Sequence, residues 1–131
     1  MEELFNCGID DIEIKNIIEI NPETINLSDM EIKEKVEILK NIKCNDNHIK
    51  NIIVSNPLYL NRCNNDIVSL IENLGNFGIT NLNILFDTNP WLLNKNAFEI
   101  NGYVKKKMNE GFLLEDIVDM IDTNPYIIDE E

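Results

Sequence analysis

The chain reads Ile-Lys-Asn-Ile-Ile-Glu-Ile-Asn-Pro at residues 14–22 and Ile-Lys-Asn-Ile-Ile-Val-Ser-Asn-Pro at residues 49–57. The Asn-Pro ending occurs four times, and it accounts for every proline in the chain: Pro22, Pro57, Pro90 and Pro125. The prolines are 35, 33 and 35 residues apart. A steady period of about 20 to 50 residues is the signature of a repeat protein, so the sequence predicts an array of similar units.

Each unit carries large apolar residues eight, five and four positions before its proline. This i, i+3, i+4 spacing places three side chains on one stripe of a helix, which we call helix A. The four stripes are Ile14-Ile17-Ile18, Ile49-Ile52-Ile53, Leu82-Leu85-Phe86 and Ile117-Met120-Ile121. Proline ends helix A because it disfavours helical dihedrals in the preceding residue, and it suits the first position of a new turn. We expect a 3₁₀ turn there, with the asparagine before each proline as its N-cap.

A second helix, helix B, is predicted to follow each turn. Ser28 with Glu31 and Asn96 with Glu99 form the same capping-box pattern at the same repeat position. The second unit offers Asn64 or Asn65 as the corresponding cap.

Glycine marks the predicted turn from each helix B into the next helix A. It stands at Gly8, Gly78 and Gly111, where a left-handed backbone costs least without a β-carbon. The second unit has Lys43 or Cys44 in that place.

The predicted fold class is all-α: a short α-solenoid of about four repeats, each consisting of helix A, a proline-initiated 3₁₀ turn and helix B. We place the repeats at about residues 7–41, 42–75, 76–109 and 110–131, the last incomplete, in a single domain over residues 1–131. Neighbouring repeats must stack because one helix pair cannot bury its apolar stripe alone.

The repeat resembles that of the mitochondrial transcription termination factor family. The first unit carries the resemblance through Gly8-Ile9, Ile14, Ile17-Ile18, Pro22, Ile25, the run Val36-Glu37-Ile38-Leu39, and Ile42. Gly111, Ile117, Met120-Ile121 and Pro125 match at the same offsets, and the similarity spans about residues 7–128. It implies a helical solenoid that binds nucleic acid through a basic concave surface, here RNA or single-stranded DNA, without catalysis.

Charge is unevenly distributed along this acidic chain, which has 24 acidic and 11 basic residues and a net charge of −13. Residues 1–31 hold nine acids and one base, residues 32–107 hold seven acids and ten bases, and residues 108–131 hold eight acids and no base. The acidic ends are interpreted either as solubilising caps of the solenoid or as a binding surface for a basic protein. The middle segment is slightly basic.

Phosphate contacts by lysine and arginine supply most non-specific affinity for nucleic acid, so the middle segment contains the candidate binding residues. These are Lys40, Lys43, Lys50, Arg62, Lys95, Lys105, Lys106 and Lys107. Trp91 is a candidate for base stacking, and Tyr59, Trp91 and Tyr126 form an aromatic row if they are not packed inside. A net of three positive charges over 76 residues disfavours duplex DNA.

A protein–protein adaptor is the alternative function. Its candidate partner-binding residues are Asp119, Asp122, Tyr126 and Asp129, which would attract a basic partner.

The sequence contains no pattern typical of an enzyme. His48 is the single histidine and falls in a predicted first helical turn, and the three serines lie outside any nucleophile motif. Cys7, Cys44 and Cys63 form no C-x-x-C pair, so no metal, cofactor or disulfide framework is expected. No run of 18 apolar residues predicts a membrane span, and the opening residues resemble no signal peptide, so we expect a cytoplasmic protein.

Overall fold

The computed structural model describes residues 2–124, which form eight α-helices and three 3₁₀ helices and contain no β-strand. The α-helices are α1 (Glu2–Asn6), α2 (Asp11–Ile20), α3 (Asp29–Asn41), α4 (Asp46–Ser55), α5 (Asn64–Asn76), α6 (Leu82–Thr88), α7 (Ala97–Asn109) and α8 (Leu114–Thr123). The 3₁₀ helices are η1 (Pro22–Asn26), η2 (Pro57–Asn61) and η3 (Pro90–Asn94). This confirms the predicted all-α fold class with proline-initiated 3₁₀ turns.

The helices stack in rows along the solenoid. Helix A is represented by α2, α4, α6 and α8, and helix B by α3, α5 and α7. Helices A pack against helices A, helices B against helices B, and the 3₁₀ helices against each other. The short helix α1 packs on α3 and so takes the place of a preceding helix B. The proline turn at residue 125 lies outside the described residues.

The apolar stripes of helix A form the core between the two rows. Ile17, Ile52 and Ile121 are fully buried, and Ile18 and Met120 at the stripe margins are half-buried. Helix B contributes its own inward-facing residues, among them Ile32, Leu39, Ile67, Leu74 and Ile100. The i, i+3, i+4 spacing therefore marked the inward face of helix A.

The asparagine before each proline has a different role from the one expected. Asn21 and Asn56 are buried and make no capping bond to their own 3₁₀ helix. Each side-chain amide instead donates two hydrogen bonds to the next repeat: Asn21 to Pro57 O (3.1 Å) and Asn61 Oδ1 (2.9 Å), and Asn56 to Pro90 O (2.9 Å) and Asn94 Oδ1 (3.1 Å). We call this set the asparagine ladder. The N-cap prediction was wrong because stacking of repeats offers the amide buried acceptors.

The helix B caps were predicted correctly in two repeats and wrongly in one. Ser28 Oγ accepts from the amide of Glu31 (3.1 Å), and Asn96 Oδ1 accepts from the amide of Glu99 (2.8 Å). In the second repeat, by contrast, Asn64 is already inside α5, and the N-cap position has no side-chain hydrogen bond. The Asn64 side chain bonds α3 instead, which removes it from capping.

A left-handed residue follows the end of α1, α3, α5 and α7. The residues are Gly8 (φ 86°), Lys43 (φ 73°), Gly78 (φ 97°) and Gly111 (φ 99°). The glycine positions were predicted from the sequence, and Lys43 takes the same conformation where glycine is missing. A side chain with a β-carbon is strained there by about 1 kcal/mol.

Lys43→Gly is expected to raise the free energy of unfolding by about 0.5–1 kcal/mol, because relief of backbone strain exceeds the added entropy of the unfolded chain. Urea unfolding of the two proteins measures this difference. Lys40→Gly, in the right-handed last turn of α3, serves as the matched control and is expected to lower stability by about 1 kcal/mol. Equal destabilisation by both substitutions would contradict the assignment of strain to Lys43.

Candidate nucleic-acid interface

The ends of the helix B row form one edge of the solenoid. After α1, α3, α5 and α7, an amide bonds back to the carbonyl five residues earlier: Ile9 to Leu4 (3.2 Å), Cys44 to Leu39 (3.1 Å), Ile79 to Leu74 (3.3 Å) and Phe112 to Lys107 (3.1 Å). This is the Schellman closure of a helix end. We call these four last turns and the residues that follow them the carboxyl edge. Its geometry is the same in each repeat.

Four of the predicted cations lie on the carboxyl edge or one turn before it. Lys40 and Lys43 belong to the end of α3, and Lys105 and Lys106 to the end of α7; all four are exposed. The Lys40 ammonium is 4.0 Å from Glu37 Oε1, a long contact between two half-exposed side chains that leaves its charge available. The edge therefore carries cations at two places along the solenoid, at the ends of α3 and α7. Within the same bounds it also carries the carboxylates of Glu2, Glu3, Glu37, Glu72 and Glu110.

Lys107 is a structural residue although it belongs to the same lysine run. Only 8% of it is exposed, because it occupies the position of Leu4, Leu39 and Leu74 in the other helix ends. Its Nζ is 3.2 Å from Glu110 Oε2 and 5.5 Å from the ring centre of Phe112. Its charge is thus neutralised within the chain.

The remaining cations lie elsewhere. Arg62 precedes α5, where its Nη1 donates to the carbonyl oxygens of Leu93 and Lys95 and so joins two repeats. Lys95 precedes α7 and lies 3.3 Å from Glu99 Oε2. Since a 13-residue helix B rises about 20 Å, these two residues are far from the carboxyl edge.

Lys50 lies on helix α4 of the other row, with its Nζ 3.4 Å from Glu13 Oε1 on α2. It therefore joins the first two helices A. The eight predicted cations do not gather on one surface.

The predicted aromatic row does not form. Trp91 is 45% exposed on η3, but Tyr59 is fully buried, and its hydroxyl donates to the carbonyl of Lys35 (2.7 Å). Burial raises the pKa of Tyr59 well above its ordinary value. Tyr126 lies outside the described residues. Tyr59 is two residues after Pro57, whereas Trp91 is one residue after Pro90. This difference of one position places the Tyr59 side chain in the core and the Trp91 side chain at the surface.

A cavity of about 410 Å³ lies between the first turns of α3 and α5. Lys35 lines it, and its ammonium donates to Asn64 Oδ1, while Asn64 Nδ2 donates to Glu34 Oε2 (2.7 Å). Desolvation lowers the pKa of Lys35, and the nearby Glu34 charge opposes that shift. Lys35, Asn64 and Glu34 therefore form a polar contact between α3 and α5 at this cavity. Its lining is Glu31, Glu34, Lys35, Arg62, Cys63, Asn64 and Asn65.

The candidate residues of the alternative adaptor function are only partly described. Asp119 and Asp122 are exposed on α8, and Asp119 lines an open depression of about 320 Å³ with Met120, Thr123 and Asn124. Asp129, like Tyr126, lies outside the described residues.

The residues of chemical interest have local structural roles. His48 is the third residue of α4, and its Nδ1 accepts from the amide of Asn45 (3.2 Å) in a capping box. Cys7, Cys44 and Cys63 are free thiols, and burial raises the pKa of Cys44 to about 11. Residues 2–124 bring no three metal-ligating side chains together, and no helix in that range is long and apolar enough to cross a membrane.

One feature of the carboxyl edge was not found in the sequence. Aligning the chain on its left-handed residues, rather than on its prolines, places an asparagine two residues before each of them: Asn6, Asn41, Asn76 and Asn109. All four side chains are exposed. The signal was present in the sequence, because Asn41, Asn76 and Asn109 each follow a proline by 19 residues and Asn6 precedes Pro22 by 16 residues.

Comparison with known proteins agrees with this repeat geometry. The sequence model of the mTERF family matches residues 1–86, which run from α1 into α6. The chain belongs to the mTERF family. This confirms the resemblance to the transcription termination factors, a family of helical-repeat proteins that are generally non-enzymatic binding proteins. Searches of curated proteins and of solved structures gave no significant match.

Proposed function

We propose that this mTERF-family chain is a non-catalytic nucleic-acid-binding protein that holds a single strand of RNA or DNA along its carboxyl edge. Family membership supports the ligand class. We choose this surface because four lysines are exposed at equivalent ends of α3 and α7: Lys40, Lys43, Lys105 and Lys106. These ends occupy the same position in their repeats, and α3, α5 and α7 contact one another in order.

The distribution of charge favours this surface over the rest of the molecule. Residues 32–107 contain ten basic and seven acidic residues, whereas both ends of the chain are strongly acidic. Screening at physiological salt acts over about 8 to 10 Å, so a strand on the middle repeats is partly shielded from the acidic ends. Outside the carboxyl edge, Lys50 and Lys95 are paired with carboxylates, Lys35 bonds the amide of Asn64, and Arg62 bonds backbone carbonyls.

A single strand fits the edge better than a duplex. Two small groups of cations separated by α5 can follow one flexible backbone, whereas a rigid duplex requires phosphate contacts over a broad surface. The acidic first and last repeats would repel the additional phosphates of a duplex.

Binding is expected to be measurable at about 50 mM salt and to fall steeply by about 200 mM, since each phosphate contact releases counterions. Fluorescence anisotropy of a labelled single-stranded RNA of about 12 nucleotides measures it. Lys105→Ala should weaken binding to every sequence and reduce the salt slope by about 0.7. Lys15→Ala, an exposed lysine of α2, is the matched control for loss of one charge.

Two results would reject the proposal. The first is the absence of binding to RNA and single-stranded DNA at about 50 mM salt, where the electrostatic contribution is largest. The second is an equal loss of affinity in Lys105→Ala and Lys15→Ala, which would mean that overall charge, and not the carboxyl edge, governs the interaction.

A further inference from the structure

The chain contains three columns of asparagine at fixed repeat positions, and the fold uses only two of them. The first precedes the prolines, and the second follows Pro22, Pro57 and Pro90 by four residues. Asn21, Asn56, Asn61 and Asn94 of these columns form the asparagine ladder between repeats. The third column consists of the carboxyl-edge asparagines Asn6, Asn41, Asn76 and Asn109.

The third column makes no contact that would account for it. The side chains of Asn6, Asn41, Asn76 and Asn109 are exposed and have no hydrogen bond to any other described residue. The helix ends are closed by backbone amides, so they need no side-chain amide. Asparagine fills 22 of the 131 positions, so four asparagines at any one of the roughly 35 repeat positions would arise by chance about once in 36.

The geometry of the column is regular. Successive helices B pack directly on each other, from α1 to α3, α5 and α7, and packed helices lie about 8 to 10 Å apart. One side-chain amide is therefore presented per repeat along a line. Exposed lysines lie near two of the four asparagines: Lys40 and Lys43 beside Asn41, and Lys105 and Lys106 one turn before Asn109. One turn before Asn6, Asn41 and Asn76 stand Glu2, Glu37 and Glu72.

We infer that the four carboxyl-edge asparagines contact the bases of a bound single strand, one base per repeat, while the flanking lysines hold its phosphates. This inference rests on the proposed nucleic-acid-binding function and extends it to base recognition. A carboxamide presents an N–H donor beside a carbonyl acceptor. Adenine offers a matching pair at two edges, its amino group with N7 and its amino group with N1, whereas cytosine offers one, its amino group with N3. Other helical-repeat proteins read one base per repeat with two or three side chains. The preferred ligand is an adenine-rich strand.

The test compares binding of labelled oligo(A), oligo(C) and oligo(U), each of about 12 nucleotides, to the whole chain at about 50 mM salt. The wild type should bind oligo(A) most tightly. The double variant Asn41→Ala/Asn76→Ala should lose about tenfold in affinity for oligo(A) and little for oligo(C), with an unchanged salt slope. The matched control is Asn16→Ala/Asn101→Ala, which removes two exposed helical asparagines away from the edge.

Each outcome has a distinct meaning. Selective loss of oligo(A) binding in the edge variant alone supports the inference. Equal binding of all three strands by the wild type, or an equal loss in edge and control variants, overturns base reading while the proposed function stands. A lower melting temperature of the edge variant than of the control also overturns it, because the asparagines would then serve the helix ends. No binding to any strand rejects the proposed function itself.

Discussion

Asn56→Ala is expected to lower the free energy of unfolding by about 2–3 kcal/mol. The side chain is fully buried and donates to Pro90 O (2.9 Å) and Asn94 Oδ1 (3.1 Å) of the next repeat. Truncation leaves these acceptors without their donor in the space between repeats, and each buried unsatisfied group costs about 1–3 kcal/mol. Urea unfolding followed by circular dichroism measures the loss.

Asn89→Ala is the matched control, since Asn89 holds the same place before the third described proline. Its amide is only half-buried and makes one long hydrogen bond, 3.5 Å to the carbonyl of Leu85. We expect its replacement to cost less than about 1 kcal/mol. If both variants lose the same stability, the asparagines contribute through their own turns, and the ladder between repeats does not stabilise the fold.

Leu60→Ala is expected to cost about 2–5 kcal/mol, whereas Ile25→Ala should change stability by no more than about 0.5 kcal/mol. Both residues stand three positions after their proline. Leu60 is 1% exposed because the first repeat covers it, but Ile25 is 64% exposed. Pro57 and Pro90 are likewise buried, while Pro22 is exposed.

This pair of variants measures what stacking contributes to stability. The two positions are equivalent in sequence, but a preceding repeat covers only Leu60. The unfolding midpoints in urea supply the comparison. A loss in Ile25→Ala as large as that in Leu60→Ala would show that something covers the outer face of the first repeat in solution, such as a second copy of the chain. A dependence of the unfolding midpoint on protein concentration would then identify self-association.

The periodic features of the fold could be predicted from the sequence because they depend on local backbone sterics. A proline constrains its own φ angle and that of the residue before it, so the ends of helix A follow from residue type alone. The same holds for Gly8, Gly78 and Gly111, whose left-handed backbone follows from the missing β-carbon. Local sterics act identically in each repeat, and the recurring pattern therefore predicted recurring structure.

Only part of the candidate interface could be predicted from the sequence. The sequence placed the lysines of the carboxyl edge in one group of candidate cations with Arg62 and Lys107. Arg62 donates to backbone carbonyls of the next repeat, and Lys107 fills the place of a core leucine. The residue type determines the charge and length of a side chain. Its partners depend on which residues of the neighbouring repeat lie near it.

The sequence by itself determined the helical class, the repeat length, the helix ends and the family to which the chain belongs, because these depend on backbone sterics and on the spacing of apolar residues. Tertiary structure alone decided that the asparagines before the prolines bond across repeats, that Tyr59 is buried while Trp91 is exposed, and which lysines remain at the surface. Those outcomes depend on contacts between residues some 30 to 40 positions apart in the chain. Only the stacking of one repeat on the next brings such residues together.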